Sequence, residues 1–461
     1  MRRWPSLAVL SLAACATVGP DYQRPAIELP GQFPNAPTSE AAPVAPGWWT
    51  LYGDKTLDEL VAAGQKSNAD LRLAAARVQE AEGALREARA AFLPEVSGSY
   101  GYTRQRVSTL ASPPVPANLP VLRPNHTLLA STNFELDFWG RFARASEAAQ
   151  AGLLGATYSQ DVVALTLAGA VAQAYFALRS LDAQITVLEN TIKLRRESLE
   201  IAQSRLDAGL APELDVYQAQ SALSDALVQL REAVRNRSLV EHQLGQLTGR
   251  LDLKIAPGEL FALPLAPVPP AGLPSALLER RPDIRQAEEA LVAANAQIGV
   301  ARAAMFPTLS LTASAGAQSE ELSNLLKSGA SIWTLGFGLA LPLFDAGRRQ
   351  ARVDQATARR EQAVAGYQRA VETGFREVAD ALVNAQQSGE SEDELKVRLD
   401  AARHALELST LRYETGYSPY LEVLDAQRTA NDAELAFVRN RQARLGFSVD
   451  LMKSLGGGWK P

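Results

Sequence analysis

The phrase ARAAFLP at residues 88–94 returns as ARAAMFP at 301–307, 213 positions later. Asp70-Leu71 pairs with Asp283-Ile284 at the same offset. Further on, RLDAGLAPELDVYQAQ (205–220) comes back as RYETGYSPYLEVLDAQ (412–427), now at an offset of 207, so the first half gained six residues between the two matches. Two copies at a period of about 210 residues describe a duplicated domain rather than a solenoid. The repeats are expected at 57–249 and 275–455. The Pro-rich stretch 250–274, which holds Pro257, Pro264, Pro267, Pro269, Pro270 and Pro274, reads as an extended linker between them, and 456–461 as a C-terminal tail.

Inside each copy the hydrophobic period changes. Val171, Leu178, Ile185, Ile192, Leu199 and Leu206 recur every seven residues, and Leu167, Ala174, Leu181, Leu188 and Ala202 form a companion stripe that Arg195 interrupts. Sustained heptads predict a coiled-coil helix from near Arg141 to Gly209, where a glycine and then Pro212 end it. Such a helix is roughly 100 Å long at 1.5 Å per residue. The second copy repeats it from about Gly347 to Gly416, with Leu399, Leu406 and Tyr413 on the matching stripe. Shorter helices are expected at about 70–92 and 213–248. The uncharged stretch 162–178 is at the lower limit for a spanning helix. Its alanines, with Thr166 and Gln173, favour the core of a helical assembly.

After the proline of the repeated phrase the period becomes two. Leu309, Leu311, Ala313, Ala315 and Ala317 alternate with Thr308, Ser310, Thr312, Ser314 and Gly316. Trp333, Leu335, Phe337, Leu339, Leu341 and Leu343 share a face against Thr334, Gly336, Gly338 and Ala340. The first copy sets Val96, Tyr100 and Tyr102 against Glu95, Ser97 and Ser99, and Phe134, Leu136 and Phe138 against Asn133, Glu135 and Asp137. Hairpins at about 94–139 and 307–343, aromatic on one side and small or polar on the other, read as transmembrane strands with lipid outside and water inside. On that reading Tyr100, Tyr102, Phe134, Phe138, Trp333 and Phe337 face lipid; the competing reading is a soluble, half-buried hairpin. Four strands cannot close a barrel, and open edges in lipid leave backbone groups unpaired. Eight strands leave an interior filled by side chains, so a conduit calls for three copies or more.

Composition narrows the chemistry. Three histidines and a single cysteine exclude a disulfide framework and Cys-rich metal or iron–sulfur sites, and no HExxH, GxGxxG, GxSxG or Walker pattern occurs. No catalytic, cofactor or metal residue is therefore expected. A net charge of −5 gives no pull towards nucleic acid. The cysteine is placed with purpose: Met1-Arg2-Arg3, an apolar run, then Leu12-Ala13-Ala14-Cys15 read as a signal peptide over 1–14. The LAAC ending resembles a bacterial lipobox, with Cys15 lipidated as the first mature residue and an extended segment over 15–56. The competing reading is an ordinary signal with a chance cysteine. Ala16, rather than an aspartate, resembles lipoproteins sorted to the outer membrane.

Taken together, CATVGPDYQRP after the signal, GWWTLYGDKTLDELV (47–61), LPSALLERRPDIRQAE (273–288), the RLDAG and RYETG turns and the terminal LGGGW resemble the TolC-type outer-membrane efflux channels, in the OprM-like and NodT-like lipoprotein branch. The resemblance implies a mixed α and transmembrane β fold: a homotrimer whose twelve-stranded β-barrel, four strands per chain, continues into a long periplasmic α-helical coiled-coil barrel. It implies no enzyme activity and no cofactor beyond the lipid on Cys15. It implies outer-membrane lipids around the barrel, a periplasmic adaptor (membrane fusion) protein and an inner-membrane pump, RND-type, as partners. It places the periplasmic tip, gate and adaptor contact at Arg205, Gly209, Pro212, Arg412, Glu414, Gly416, Ser418 and Pro419. Arg205 and Arg412 are expected to pair with Asp207, Glu414 or Glu422. Related channels often carry an acidic residue where this chain has Ser418, with Glu414 and Glu422 a turn away. A self-sufficient porin would not need such long helices, and a lipid-anchored structural or adaptor-like coiled coil would not need four amphipathic strands. Mass analysis of the mature N-terminus is expected to show an acylated Cys15 with residues 1–14 removed; an unmodified Cys15, or cleavage elsewhere, overturns the anchor.

Overall fold

A computed structural model describes residues 17–34, 44–110, 116, 120–269 and 274–459. Cys15 and the signal peptide expected at 1–14 lie outside the described residues. The chain forms two compact units. One gathers the described residues up to Pro25 with Gln79–Gly155 and Ala287–Gly366, and the other gathers Ala26–Val78, Ala156–Gln286 and the described residues from Tyr367 onward. In chain order the elements are helices α1 (Lys55–Ser67) and α2 (Ala69–Ala90), strands β1 (Glu95–Arg106) and β2 (Leu122–Leu136), and helices α3 (Arg141–Asp207) and α4 (Glu213–Thr248). Then come the short α5 (Leu277–Arg280), α6 (Pro282–Ala303), β3 (Thr308–Ser319), β4 (Ser331–Ala340), α7 (Arg348–Glu414) and α8 (Tyr420–Ser454). The order helix, hairpin, 67-residue helix, return helix thus occurs twice.

The first unit is built on one antiparallel sheet in the order β1-β2-β3-β4, with β1 and β4 at its edges. Both hairpins begin where the repeated phrase ends. Helical backbone gives way to turns at Phe92 and Phe306, and strands start after Pro94 and Pro307, since proline cannot continue the i to i−4 ladder. Trp139 closes the opposite side of this junction: its ring stacks on Phe306 at 4.7 Å and its Nε1 donates to the Pro307 carbonyl at 2.7 Å. An N-terminal strap is tied to the same place. Val18 N–H donates to the Trp139 carbonyl, Asn295 Nδ2 donates to the Pro20 carbonyl, and Arg144 pairs with Asp21 at 2.6 Å. Arg24 grips both carboxylate oxygens of the nearly buried Glu288, at 2.6 and 2.9 Å. At Gly19 a side chain would lie 2.6 Å from the Gly299 Cα, so backbone rests on backbone there.

The second unit holds the larger core. The stretch 162–178 makes α3, among the described residues, a helix apolar and long enough to cross a membrane by composition. Leu167, Val171, Ala174, Tyr175, Phe176 and Leu178 are instead buried with Trp48, Tyr52, Leu244 and Val449. Each such large side chain is worth about 1.5–3 kcal/mol. Arg195, which breaks the companion stripe, is buried as well; its guanidinium donates to the Ala222 carbonyl and lies 3.4 Å from Asp225.

One expectation needs correction. Residues 15–56 are not extended throughout: a 3-10 turn covers Trp48–Tyr52, and α1 starts at Lys55 because Asp54 Oδ1 accepts the Thr56 and Leu57 N–H groups. The linker expected at 250–274 is, over its described residues, packed as well as extended, since Leu253, Ile255, Leu260, Leu263 and Ala266 are buried. A chain of buried polar groups pins it. Tyr175 OH donates to Asp54, and Arg179 donates to Tyr175 OH, Asp182 and the Ala256 carbonyl. Arg237 donates to Asp182 at 2.6 Å and to the Ile255 carbonyl at 2.7 Å. Glu241 accepts from Ile255 N–H and Lys254.

Asp182→Ala strands two guanidinium groups and is expected to cost about 3–5 kcal/mol, read as a lower melting temperature and faster proteolysis within 250–269; unchanged melting overturns this role. Burial works to raise the Glu241 pKa, but the Ile255 N–H, Lys254 and Arg237 outweigh it and hold the carboxyl below its ordinary value. A carboxyl lowered by folding stabilises above its unfolded pKa and stops doing so as pH falls through the folded value. The linker is therefore expected to stay docked at neutral pH and to loosen below the ordinary glutamate range.

Candidate functional site

Two places gather the residues singled out from sequence: the faces of the sheet and the turns between the long helices. Strand register decides the first. Tyr100 lies opposite Leu128 and Tyr102 opposite His126; Phe134 lies opposite Leu311, and Leu311 opposite Phe337; Ala315 lies opposite Trp333. Directly opposed residues share a face, so one side of all four strands carries Val96, Tyr100, Tyr102, Leu128, Phe134, Leu309, Leu311, Trp333, Leu335, Phe337 and Leu339. That side is open. Trp333 is 76% exposed and Phe337 64%.

The other side carries Ser97, Thr127, Ser131, Asn133, Ser310, Thr312, Ser314, Thr334, Gly336 and Gly338. Ser97 Oγ and Ser131 Oγ stand 3.1 Å apart, and a hollow of about 390 Å³ is lined by Glu95, Ser97, Asn133, Thr312 and Thr334 among others. This surface offers water hydrogen bonds, with charge confined to its ends, at Glu95 and Glu135 on one side and Arg123 on the other. Among the described residues no group of three or more His, Cys, Asp or Glu side chains is placed to hold a metal ion.

Phe138 is the exception among the aromatic residues. It sits beyond the end of β2, in the turn where its N–H donates to the Leu136 carbonyl before α3 begins. Asp137 accepts the Ala143 N–H at 2.9 Å, and capping the helix this early cuts the strand short. Leu341 and Leu343 likewise fall after β4. The outer half of β2 escaped the sequence reading because Leu129 faces the polar side and Thr132 the apolar one, which blurs the alternation.

The helix turns are alike. Gly209 takes φ +69° and Gly416 φ +82°. Gly209 and Leu210 donate to the Leu206 and Arg205 carbonyls, as Gly416 and Tyr417 do to those of Tyr413 and Arg412. These are Schellman caps, whose left-handed residue is glycine because a Cβ is strained there. Pro212 and Pro419 then precede α4 and α8 in extended conformation. Behind the turns Tyr413, Tyr420, Val423, Ala202 and Ala219 form a small buried cluster, with the two tyrosine rings 5.4 Å apart. Burial, reinforced by Tyr413, pushes the Tyr420 phenol up to about 12, so it stays protonated at neutral pH.

The two arginines behave differently. Arg412 Nε lies 3.6 Å from Glu422, an exposed ion pair of the kind expected. Arg205 pairs with neither Asp207 nor Glu414. It donates to the Tyr413 carbonyl at 3.0 Å and stacks 4.8 Å from the Tyr413 ring. Asp207, two residues on, points to another side of the helix and receives Gln203 instead. Tyr413 lies in the last turn of α7, where the dipole favours a cation, and its carbonyl accepts Arg205 alongside the capping Gly416 N–H. Glu414 is exposed on that turn, and Ser418 is half-buried beside Pro419. The tyrosine cluster was legible only in part: Tyr413 fell on the heptad stripe, while Tyr420 starts a new helix and had no period to mark it.

The sequence model of the family described as outer membrane efflux protein matches residues 61–250 and 273–457. The chain is 34% identical to the probable efflux pump outer membrane protein SepC of Pseudomonas putida, over 98% of this chain and 95% of that protein. It is 33% identical to the cation efflux system protein CusC of Escherichia coli, over 99% and 98%. Among solved structures it is similar to the outer-membrane channel OprN, with a TM-score of 0.90, 28% identity and coverage of 97% and 100%. It is also similar to the MtrE outer membrane channel of Neisseria gonorrhoeae, with a TM-score of 0.87, 30% identity and coverage of 96% and 99%. With the family's pattern spread over both halves and relatives aligned from end to end, this chain belongs to the outer membrane efflux protein family.

Proposed function

We propose that three copies of this outer-membrane efflux channel close their sheets, edge to edge, into one twelve-stranded barrel. The observation that carries this is the four-stranded sheet with every aromatic side chain of its strands on one face, most of its hydroxyls and glycines on the other, and two free edges. In lipid each unpaired edge group costs several kcal/mol, and β1 of one copy meeting β4 of the next removes both edges. Each 67-residue helix then carries the conduit onward through the periplasm as a helical barrel. The two halves are a duplication, the chain is exported by the signal peptide at 1–14, and Cys15 bears the lipid anchor.

Nothing in this scheme performs catalysis or supplies energy. The channel is a passive conduit, fed by a periplasmic adaptor and an RND-type inner-membrane pump that dock at the turns. Relatives are named for efflux of toluene and of cations, so cargo class follows the partner pump. The turns act as the gate. Arg205 on the Tyr413 carbonyl, together with the exposed Arg412–Glu422 pair, holds them by weak contacts of about 0–1 kcal/mol for the exposed pair, repeated around the ring.

Phe337→Arg or Leu339→Arg sets a cation against lipid, at about 2–4 kcal/mol near the midplane, and is expected to lower trimer yield in outer membranes. Ser310→Arg faces the lumen and should assemble normally with altered conductance. Equal assembly of all three overturns the face assignment. Arg412→Ala is expected to raise single-channel conductance in planar bilayers; unchanged conductance moves the gate away from these turns.

A further inference from the structure

The apolar face of the sheet changes chemistry along its length. From the end joined to helices outward, β1 places Val96, Gly98, Tyr100, Tyr102, Arg104 and Arg106 on that face. Tyr100 OH lies 2.9 Å from His126 Nδ1, and the Tyr102 and His126 rings are 4.7 Å apart. Aliphatic and small residues thus give way to aromatics with polar tips, and these to two guanidinium groups. Nine to eleven tilted residues cross the hydrocarbon of a bilayer. With 12 residues in β1 and 15 in β2, the far ends emerge from it. Aromatic girdles mark that boundary, and a cation on the outer face is costly at the midplane but tolerated there.

Both arginines are exposed, and their cross-strand partners, Pro124 and Leu122, carry no charge. Among the described residues neither has an ion-pair partner. Two like charges two residues apart on one face of a strand, about 7 Å apart along it and pointing out of the sheet, call for an anion from the surroundings. Guanidinium forks match phosphate oxygens, and basic clusters at a membrane surface recruit anionic lipid. We propose that Arg104 and Arg106, seated above Tyr102 and His126, form a rim site for the phosphate groups of phosphorylated outer-leaflet lipids. The site rests on the transmembrane reading of the sheet. It would fix the height of the barrel in the membrane and hold a lipid against edge strand β1, where one copy meets the next.

The test uses the full-length trimer in zwitterionic nanodiscs doped with bis-phosphorylated lipid A or its dephosphorylated form, with bound lipid counted by native mass spectrometry. The wild type is expected to retain the phosphorylated lipid. The Arg104→Gln/Arg106→Gln variant should bind it about thirtyfold more weakly, while Arg359→Gln, an exposed arginine on α7, binds it like the wild type. The dephosphorylated lipid should bind weakly to all three. Equal retention by the wild type and the double variant overturns the site. Full competition by inorganic phosphate at matched concentration overturns the lipid assignment. A lower melting temperature of the double variant in neutral, lipid-free detergent also overturns it, since the arginines would then pair with Glu320 or Glu321 of a second copy. Quenching by brominated lipids, compared between the wild type and Trp333→Phe, separates the two readings. No Trp333 quenching removes the transmembrane sheet itself, whereas quenching without lipid loss removes only the rim site.

Discussion

Backbone hydrogen bonding at the two edges of the sheet is the constraint from which the rest follows. Inside the sheet, β2 and β3 are paired on both sides, while β1 and β4 each leave a row of N–H and C=O groups unmet. Water would satisfy those groups; hydrocarbon does not. The register, which gathers the aromatics on one face and most hydroxyls on the other, supports the proposal that the apolar face meets lipid and that further copies close the edges. In the proposed trimer, oligomerisation is the condition for the sheet to exist in its solvent, and a water-filled lumen is its by-product.

The junction between strand and helix is where sequence and packing agree most closely. Prolines at 94 and 307 end one kind of ladder and open another. Trp139 bonds to the Pro307 carbonyl while its own carbonyl receives Val18. The N-terminal strap, the end of the first hairpin and the start of the second therefore share one set of contacts.

In the helical unit, polar contacts specify position more than they add stability. The line from Asp54 through Tyr175, Arg179, Asp182 and Arg237 to the linker carbonyls is nearly dry, and such networks roughly break even against apolar packing while being costly to break. At the turns the balance is different. The Tyr413–Tyr420 cluster is small, the Arg412–Glu422 pair is exposed, and Arg205 is held by a carbonyl and a ring. A region with little buried surface opens locally at low cost, which suits the gate role proposed for these turns.

The sequence by itself determined the periods. Heptads from Val171 to Leu206, alternation from Thr308 to Gln318, and glycines and prolines at 209–212 and 416–419 record local physics, in which side-chain direction and backbone freedom depend on near neighbours. Both 67-residue helices and three of the four strands were legible for that reason, and so was the family. The tertiary structure alone decided what depends on partners far away in sequence. It gave β2 its full length through pairing with β1 and β3, and it moved Phe138 into a turn through the Asp137 cap. It buried the linker under the arginines of α3 and α4, and it gave Arg205 a carbonyl in place of a carboxylate. Hydrogen bonds of that kind leave no period in a sequence, because the two groups that satisfy each other can lie anywhere along the chain.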